Sequence, residues 1–211
     1  LTDAAKEQGV HHLSLISVRG ADTRWDFYPV YPAKARAEQH LIESGVPYTI
    51  FRPGGMIDTT GAMFKGMANR AKSGEQITIY GEPDQAMAYI FLDELADYLI
   101  HSHLEPRARN GLFDLGGPGN LTREEFWKFV GETLGVEAKV EYKSPDEIVP
   151  LREAAEKAED MPKAHALARE EVSGRSDRPM PPMNIYGRLF DVQQRDFKQW
   201  LLGILREAPA S

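Results

Sequence analysis

The chain has 211 residues, 42% of them hydrophobic, a net charge of −7 and no cysteine. An acidic chain without a Lys/Arg cluster repels phosphate, which excludes a nucleic-acid role, and the lack of cysteine excludes disulfides, thiolate zinc sites and thiol nucleophiles and fits a reducing, cytoplasmic setting. No apolar run reaches the ~18 residues that span a bilayer, so the expected partner is a small-molecule substrate, with neither nucleic acid nor a membrane.

Residues Leu1–Gly9 read as the tail of a helix closed by glycine, with none of the basic and apolar regions of a signal peptide. His11–Ser17 is a short apolar run suited to a buried parallel strand. A helix is expected from Pro32 to Ser44, stopped by Gly45, and a strand over Pro47–Arg52. This alternation is that of a parallel sheet with right-handed crossovers, an α/β fold. Asp58–Ser73 reads as a helix with Met63, Met67 and Ala71 in four-residue steps and Gly74 as its stop. Ile77–Tyr80 and Met87–Phe91 read as strands around a Gly81–Asp84 turn. Asp93–Leu104 is expected to be a helix with Leu95, Tyr98 and Leu99 inward. Leu112–Leu115 is expected to be a strand running into Gly116-Gly-Pro-Gly119.

Thr122 and Glu125 form a capping-box pattern that opens a helix to Leu134, which Gly135 ends. Ser144-Pro-Asp-Glu147 repeats the pattern with proline at the first helical position. Residues 151–172 read as helical with a break at Pro162. Residues 173–184, with Pro179, Pro181 and Pro182, read as an irregular loop. Asp191–Arg206 reads as a closing amphipathic helix.

Three stretches carry a family resemblance. Lys34-Ala-Arg-Ala-Glu38 followed by Leu41–Pro53 resembles the helix–strand unit after the active site of extended and atypical, NmrA-like short-chain dehydrogenases/reductases. Gly74–Gly81 and Ala88–Ala96 are similar to the substrate-lobe hairpin and following helix of the same extended and atypical reductases, some of them epimerase/dehydratase-like. Gly111–Gly119 with Leu121–Glu125 completes the order, and its Gly-Gly-Pro-Gly…Leu-Thr stretch is similar to that of divinyl-chlorophyllide vinyl reductases.

The resemblance implies the C-terminal part of a Rossmann-like doubly wound sheet with a smaller substrate lobe. It divides the chain into 1–57, a remnant of the NAD(P)-binding domain, 58–142, a mixed Rossmann and substrate lobe, and 143–211, a helical extension. It implies an oxidoreductase using NADP or NAD on a small organic substrate. Family members open with a glycine-rich turn whose backbone amides hold the pyrophosphate. No such pattern follows a strand near the start here, so the expectation is an N-terminally truncated chain, inactive by itself. The Leu13–Ile16 strand would then offer an unpaired edge for self-association. Gly116–Gly119, with its proline, reads as a tight turn and not as a phosphate loop.

By the same resemblance Lys34 binds the nicotinamide ribose and lowers the pKa of a tyrosine four residues earlier, the proton donor of carbonyl reduction. That position is Val30. Tyr31, three residues before Lys34, is the nearest candidate, about 100° around the helix from the family position. Ser17 is placed near the family's substrate-binding hydroxyl. Arg52, Pro53, Gly54, Gly55 and Met56 form the loop that passes the nicotinamide, with the two glycines permitting close approach. Met56 and Tyr89 are the candidates for lining the substrate pocket. A non-enzymatic NAD(P)-sensing regulator and a sugar-nucleotide epimerase or dehydratase are the alternatives. His101 and His103, two residues apart on a helix, do not share a face and give no metal pair, and His11-His12 reads as structural.

Overall fold

Glycines end the helices at the positions the sequence marks for them. The computed structural model describes residues 1–22, 25–177 and 183–207. Its elements run α1 (Thr2–Glu7), β1 (Leu13–Ile16), α2 (Val30–Ser44), β2 (Tyr48–Pro53), β3 (Gly55–Met56), α3 (Ile57–Lys72), β4 (Ile77–Tyr80) and β5 (Tyr89–Ile90). They continue with α4 (Leu92–Ser102), β6 (Gly111–Leu115), α5 (Arg123–Leu134), β7 (Val140–Lys143), α6 (Val149–Lys157), α7 (Met161–Arg175), α8 (Met183–Phe190) and α9 (Phe197–Glu207). Gly45 closes α2 and Gly135 closes α5 in the left-handed region, at φ 79° and 67°, where glycine alone is unstrained. The capping box opens α5: the Glu125 amide donates to Thr122 Oγ1, and the Thr122 amide donates to Glu125 Oε2 at 2.8 Å.

The chain divides into two units. The first comprises Leu1–Thr59, Ala88–Asn120 and Met180–Phe197 and contains a parallel sheet in the order β1-β2-β6. Leu15 pairs with Ile50, and Ile50 with Leu112. Successive residues of β2 face opposite sides. Ile50 packs with Leu41 and Val46 on one face. Phe51 packs on the other with Tyr98, Phe113 and Phe190, its ring 5.4 Å from that of Phe190. Both faces of β2 are therefore covered, as a parallel sheet requires. β1 is half-buried throughout, and among the described residues β2 is its only strand neighbour.

The second unit comprises Thr60–Met87, Leu121–Pro179 and Lys198–Ser211. Here β4 pairs in parallel with β7, from Ile77 with Val140 to Tyr80 with Lys143. This corrects the hairpin expected around Gly81. β4 and β5 do not pair, and β5 instead runs parallel to β3 in the first unit. The Gly81 amide donates to the Lys143 carbonyl at 2.8 Å and extends the β4–β7 ladder. The Arg123 guanidinium donates to the Tyr80 carbonyl.

The break expected at Pro162 separates α6 from α7, with Pro162 in the first turn of α7 and Asp160 accepting from the Lys163 amide at 3.2 Å. Arg152 of α6 and Glu171 of α7, both buried, join the two helices at 2.9 Å. The irregular loop expected over 173–184 is shorter than that: α7 reaches Arg175 and α8 begins at Met183, and its three prolines lie outside the described residues. The closing helix starts at Phe197, later than expected, because Asp191 takes φ 52° and breaks the run after α8.

Candidate active site

Ligands of open α/β sheets sit at the carboxyl ends of the parallel strands. In the first unit those ends are Ile16, Pro53 and Leu115. Ser17 continues β1 by donating its amide to the Phe51 carbonyl at 2.7 Å. Its side chain is buried, the residue being 5% exposed, and its Oγ has no hydrogen-bond partner. A buried hydroxyl left unpaired costs about 1–3 kcal/mol, a cost that a ligand oxygen at this strand end would remove. Lys34, on the second turn of α2, reaches the same place: its Nζ donates to the Ile16 carbonyl at 2.8 Å. Two further ammonium protons are left to donate. The fold thus brings Lys34 and Ser17 to one strand end.

Tyr31 lies half-buried at the start of α2, its ring 5.8 Å from that of Tyr28. Burial first, and Tyr28 second, push its phenol up to about 12. That is the opposite direction from the lowered value an acid catalyst near neutrality needs. Val30, four residues before Lys34, carries no proton to give.

Arg52 is 6% exposed and engaged on its own chain. Its Nε and Nη2 donate to the two oxygens of Glu38 at 2.9 and 2.5 Å, and its Nη1 lies 3.1 Å from Asp22. Pro53 ends β2 opposite Leu115, and its carbonyl accepts from the Arg19 amide at 3.1 Å. Gly54 and Gly55 have a structural reason within the unit. A Cβ on Gly54 would overlap the Ala88 carbonyl, and one on Gly55 would stand 2.6 Å from the Tyr89 ring. Tyr89 is in turn stacked against Phe197, at 4.9 Å and 24°. Met56 packs on the Phe51 cluster. Gly116–Gly119 is a turn, as expected: a Cβ on Gly119 would fall on the Asp196 carboxylate, an unfavourable neighbour for phosphate.

The sequence reading missed Glu38, Asp22 and Asp114. Asp114 stands beside Arg52 in the β2–β6 register, and burial holds its carboxyl above the ordinary carboxylate value, against the pull of Arg19 and Arg52. Two signals were available. Glu38 follows Lys34 by four residues and so shares its helix face. An arginine inside an apolar strand also needs a carboxylate partner. Among the described residues, no group of three or more His, Asp or Glu side chains could hold a metal, and no helix is long and apolar enough to cross a membrane.

Parallel strands, crossover helices and a lysine–serine pair at one strand end define a Rossmann-like α/β protein. Residues 1–80 match the family described as NAD(P)H-binding, so the likeness to the extended and atypical short-chain reductases is borne out and the cofactor is of the nicotinamide-dinucleotide class. Over 138 residues the chain is 29% identical to UDP-glucuronic acid decarboxylase 4 of Arabidopsis thaliana, covering 64% of this chain and 30% of that protein. It is 28% identical over 132 residues to sanguinarine reductase of Eschscholzia californica, covering 58% of this chain and 45% of that one. Among solved structures, a nucleoside-diphosphate-sugar epimerase from Staphylococcus aureus superposes with a TM-score of 0.69 at 22% identity, over 95% of this chain and 68% of that one. An NADPH-dependent quinone oxidoreductase from Escherichia coli, complexed with NADPH, superposes at 0.68 and 16% identity, over 96% of this chain and 69% of that one. The chain thus matches less than half the length of either curated relative.

The orphaned Ser17 hydroxyl and the spare ammonium protons of Lys34 are donors of the kind that the nicotinamide-ribose end of such a cofactor takes. The sequence supplies no glycine-rich strand-to-helix turn for the pyrophosphate.

Proposed function

We propose that this chain carries the catalytic strand end of an NAD(P)-dependent oxidoreductase acting on a small, electron-poor organic acceptor. The observation that carries the reading is the placement of Lys34 Nζ on the Ile16 carbonyl and of the unpartnered, buried Ser17 Oγ on the next residue, at the end of β1. The cofactor, when bound, supplies the hydride. Lys34 holds the ribose hydroxyls through its free ammonium protons while the Ile16 carbonyl fixes its position. Ser17 donates its hydroxyl proton as a hydrogen bond to a ligand oxygen.

Neither residue at the family's proton-donor position serves as the acid. Val30 cannot ionise, and Tyr31 holds its proton up to about 12. The acceptor class that suits this site forms a stabilised product on taking a hydride and draws its proton from water. The names of two relatives, a quinone oxidoreductase and sanguinarine reductase, support this class.

The test is NADPH oxidation with a quinone acceptor by the protein bearing this chain. Lys34→Ala is expected to lower kcat/KM by about 10²-fold, and Tyr31→Phe to leave it within about twofold. Equal rates for wild type and Lys34→Ala would overturn the assignment. A second reading, sugar-nucleotide chemistry, is favoured by the match to UDP-glucuronic acid decarboxylase. Turnover of a UDP-sugar with no quinone activity would select it.

A further inference from the structure

We propose that His12 and His103 form a two-imidazole site for a tetragonal divalent cation of the copper(II) class, at the end of the sheet opposite Lys34 and Ser17. His12 immediately precedes β1, and His103 follows the last residue of α4. Their ring centres lie 4.6 Å apart with planes tilted by 56°.

The hydroxyls beneath them fix both tautomers. Ser102 Oγ donates to the Leu99 carbonyl at 2.7 Å, so the proton in its 2.8 Å contact with Ser14 comes from Ser14. Ser14 Oγ has then used its proton and accepts from His103 Nε2 at 3.2 Å. Thr49 Oγ1 donates to the Ala108 carbonyl at 3.0 Å and so accepts from His12 Nε2 at 3.1 Å. Ser14 and Thr49 are direct partners across the β1–β2 ladder, so the two imidazoles stand side by side on adjacent anchors. Each carries its proton on Nε2 and leaves a lone pair on Nδ1. A ring N–H held by an oxygen, with the other nitrogen open, is the arrangement that orients metal-binding histidines.

The ring separation favours one geometry. A metal–nitrogen bond of ~2.0 Å plus ~1.2 Å to the ring centre puts each centre ~3.2 Å from the ion. Two such rings would be ~4.5 Å apart at a right angle and ~5.2 Å apart at the tetrahedral angle. The observed 4.6 Å is nearer the right-angle value, the angle of a tetragonal copper(II) shell. His103 is exposed and gives the ion a path in, with water completing the shell. Arg109 is close enough for its charge to act on His12, and that charge opposes a bound cation.

The experiment titrates copper(II) chloride, and separately zinc chloride, into the 211-residue chain in near-neutral buffer, with calorimetry and electron paramagnetic resonance as readouts. Expected are one copper per chain, coupling to two nitrogens, and weaker zinc binding. His103→Gln should lower copper affinity at least about tenfold, and Arg109→Gln should raise it. Thermal melts in EDTA check that the exposed substitutions keep the fold. Absence of copper binding, affinity unchanged in His103→Gln, or binding lost in His11→Gln with His12 and His103 intact would each overturn the proposal.

Discussion

Removing Arg52 tests the account of the first unit most severely. Its guanidinium bonds both oxygens of Glu38 at 2.9 and 2.5 Å, and both side chains are buried, at 7% and 5% exposure. Arg52→Met strands the Glu38 carboxylate between α2 and β2, and breaking one partner of such a pair costs about 3–5 kcal/mol. Asp22, half-exposed at 3.1 Å from Nη1, adds little. Glu38→Gln keeps an acceptor for Arg52 Nε and leaves Asp22 in place, so about 1–3 kcal/mol is expected. The double variant Glu38→Leu/Arg52→Met removes both charges and should return to within about 1 kcal/mol of wild type. In urea unfolding followed by circular dichroism, Arg52→Met should lower the midpoint by about 1.5–2.5 M at the slope usual for small proteins. A loss under about 1 kcal/mol in Arg52→Met, or costs that simply add in the double variant, would refute the view of this pair as a buried clamp on α2.

Tyr98 is buried with no partner for its hydroxyl, so Tyr98→Phe should hold or raise the melting temperature, by up to about 1 kcal/mol of stability; a lower one would reveal a bond to that oxygen. Gly55→Ala should cost about 1–3 kcal/mol, because Tyr89, 2.6 Å from the new Cβ, is backed by Phe197; an unchanged thermal unfolding curve would count against that packing. Glu94, 2% exposed, accepts from the Arg195 amide at 2.6 Å, and burial raises its pKa above 4.5 against the pull of Arg195. A raised folded-state pKa means stability gained as pH falls through it and lost as pH rises. Wild type should therefore gain on Glu94→Gln in urea midpoints as pH falls from neutrality into the acid range, and a wild type that loses ground to the variant on acidification would reverse the sign.

The local grammar of this chain was legible wherever one residue decides a conformation. Gly45 and Gly135 end helices because only glycine is unstrained at their φ, and Thr122 with Glu125 opens α5 because both cap donors find acceptors. The pairing of β4 was not legible. Its partner β7 lies about sixty residues downstream, and the intervening Gly81 turn is the local signal of a hairpin that never forms. At the candidate site, Lys34 and Ser17 were visible through the family likeness. Of the partners of Arg52, Glu38 was signalled by its four-residue spacing from Lys34, whereas Asp22 comes from a loop that only the assembled sheet brings to it.

The interleaving of the two units governs how the chain can fold as it is made. Phe190, which completes the ring cluster around Phe51, and Phe197, which backs Tyr89, belong to the last stretch of the first unit. At about 5–20 residues per second, the stretch from Leu115 at the end of β6 to Phe190 takes roughly 4–15 seconds to make. Through that interval β1, β2 and β6 are complete while Phe51 and Phe113 lack Phe190 on one face. The second unit likewise waits for Leu201 and Leu205, which arrive with α9. Neither half can be finished and set aside while the other emerges. A growing chain of this kind therefore offers chaperones a persistent apolar surface, and it should resist being cut into separately expressed halves at any one point in its sequence.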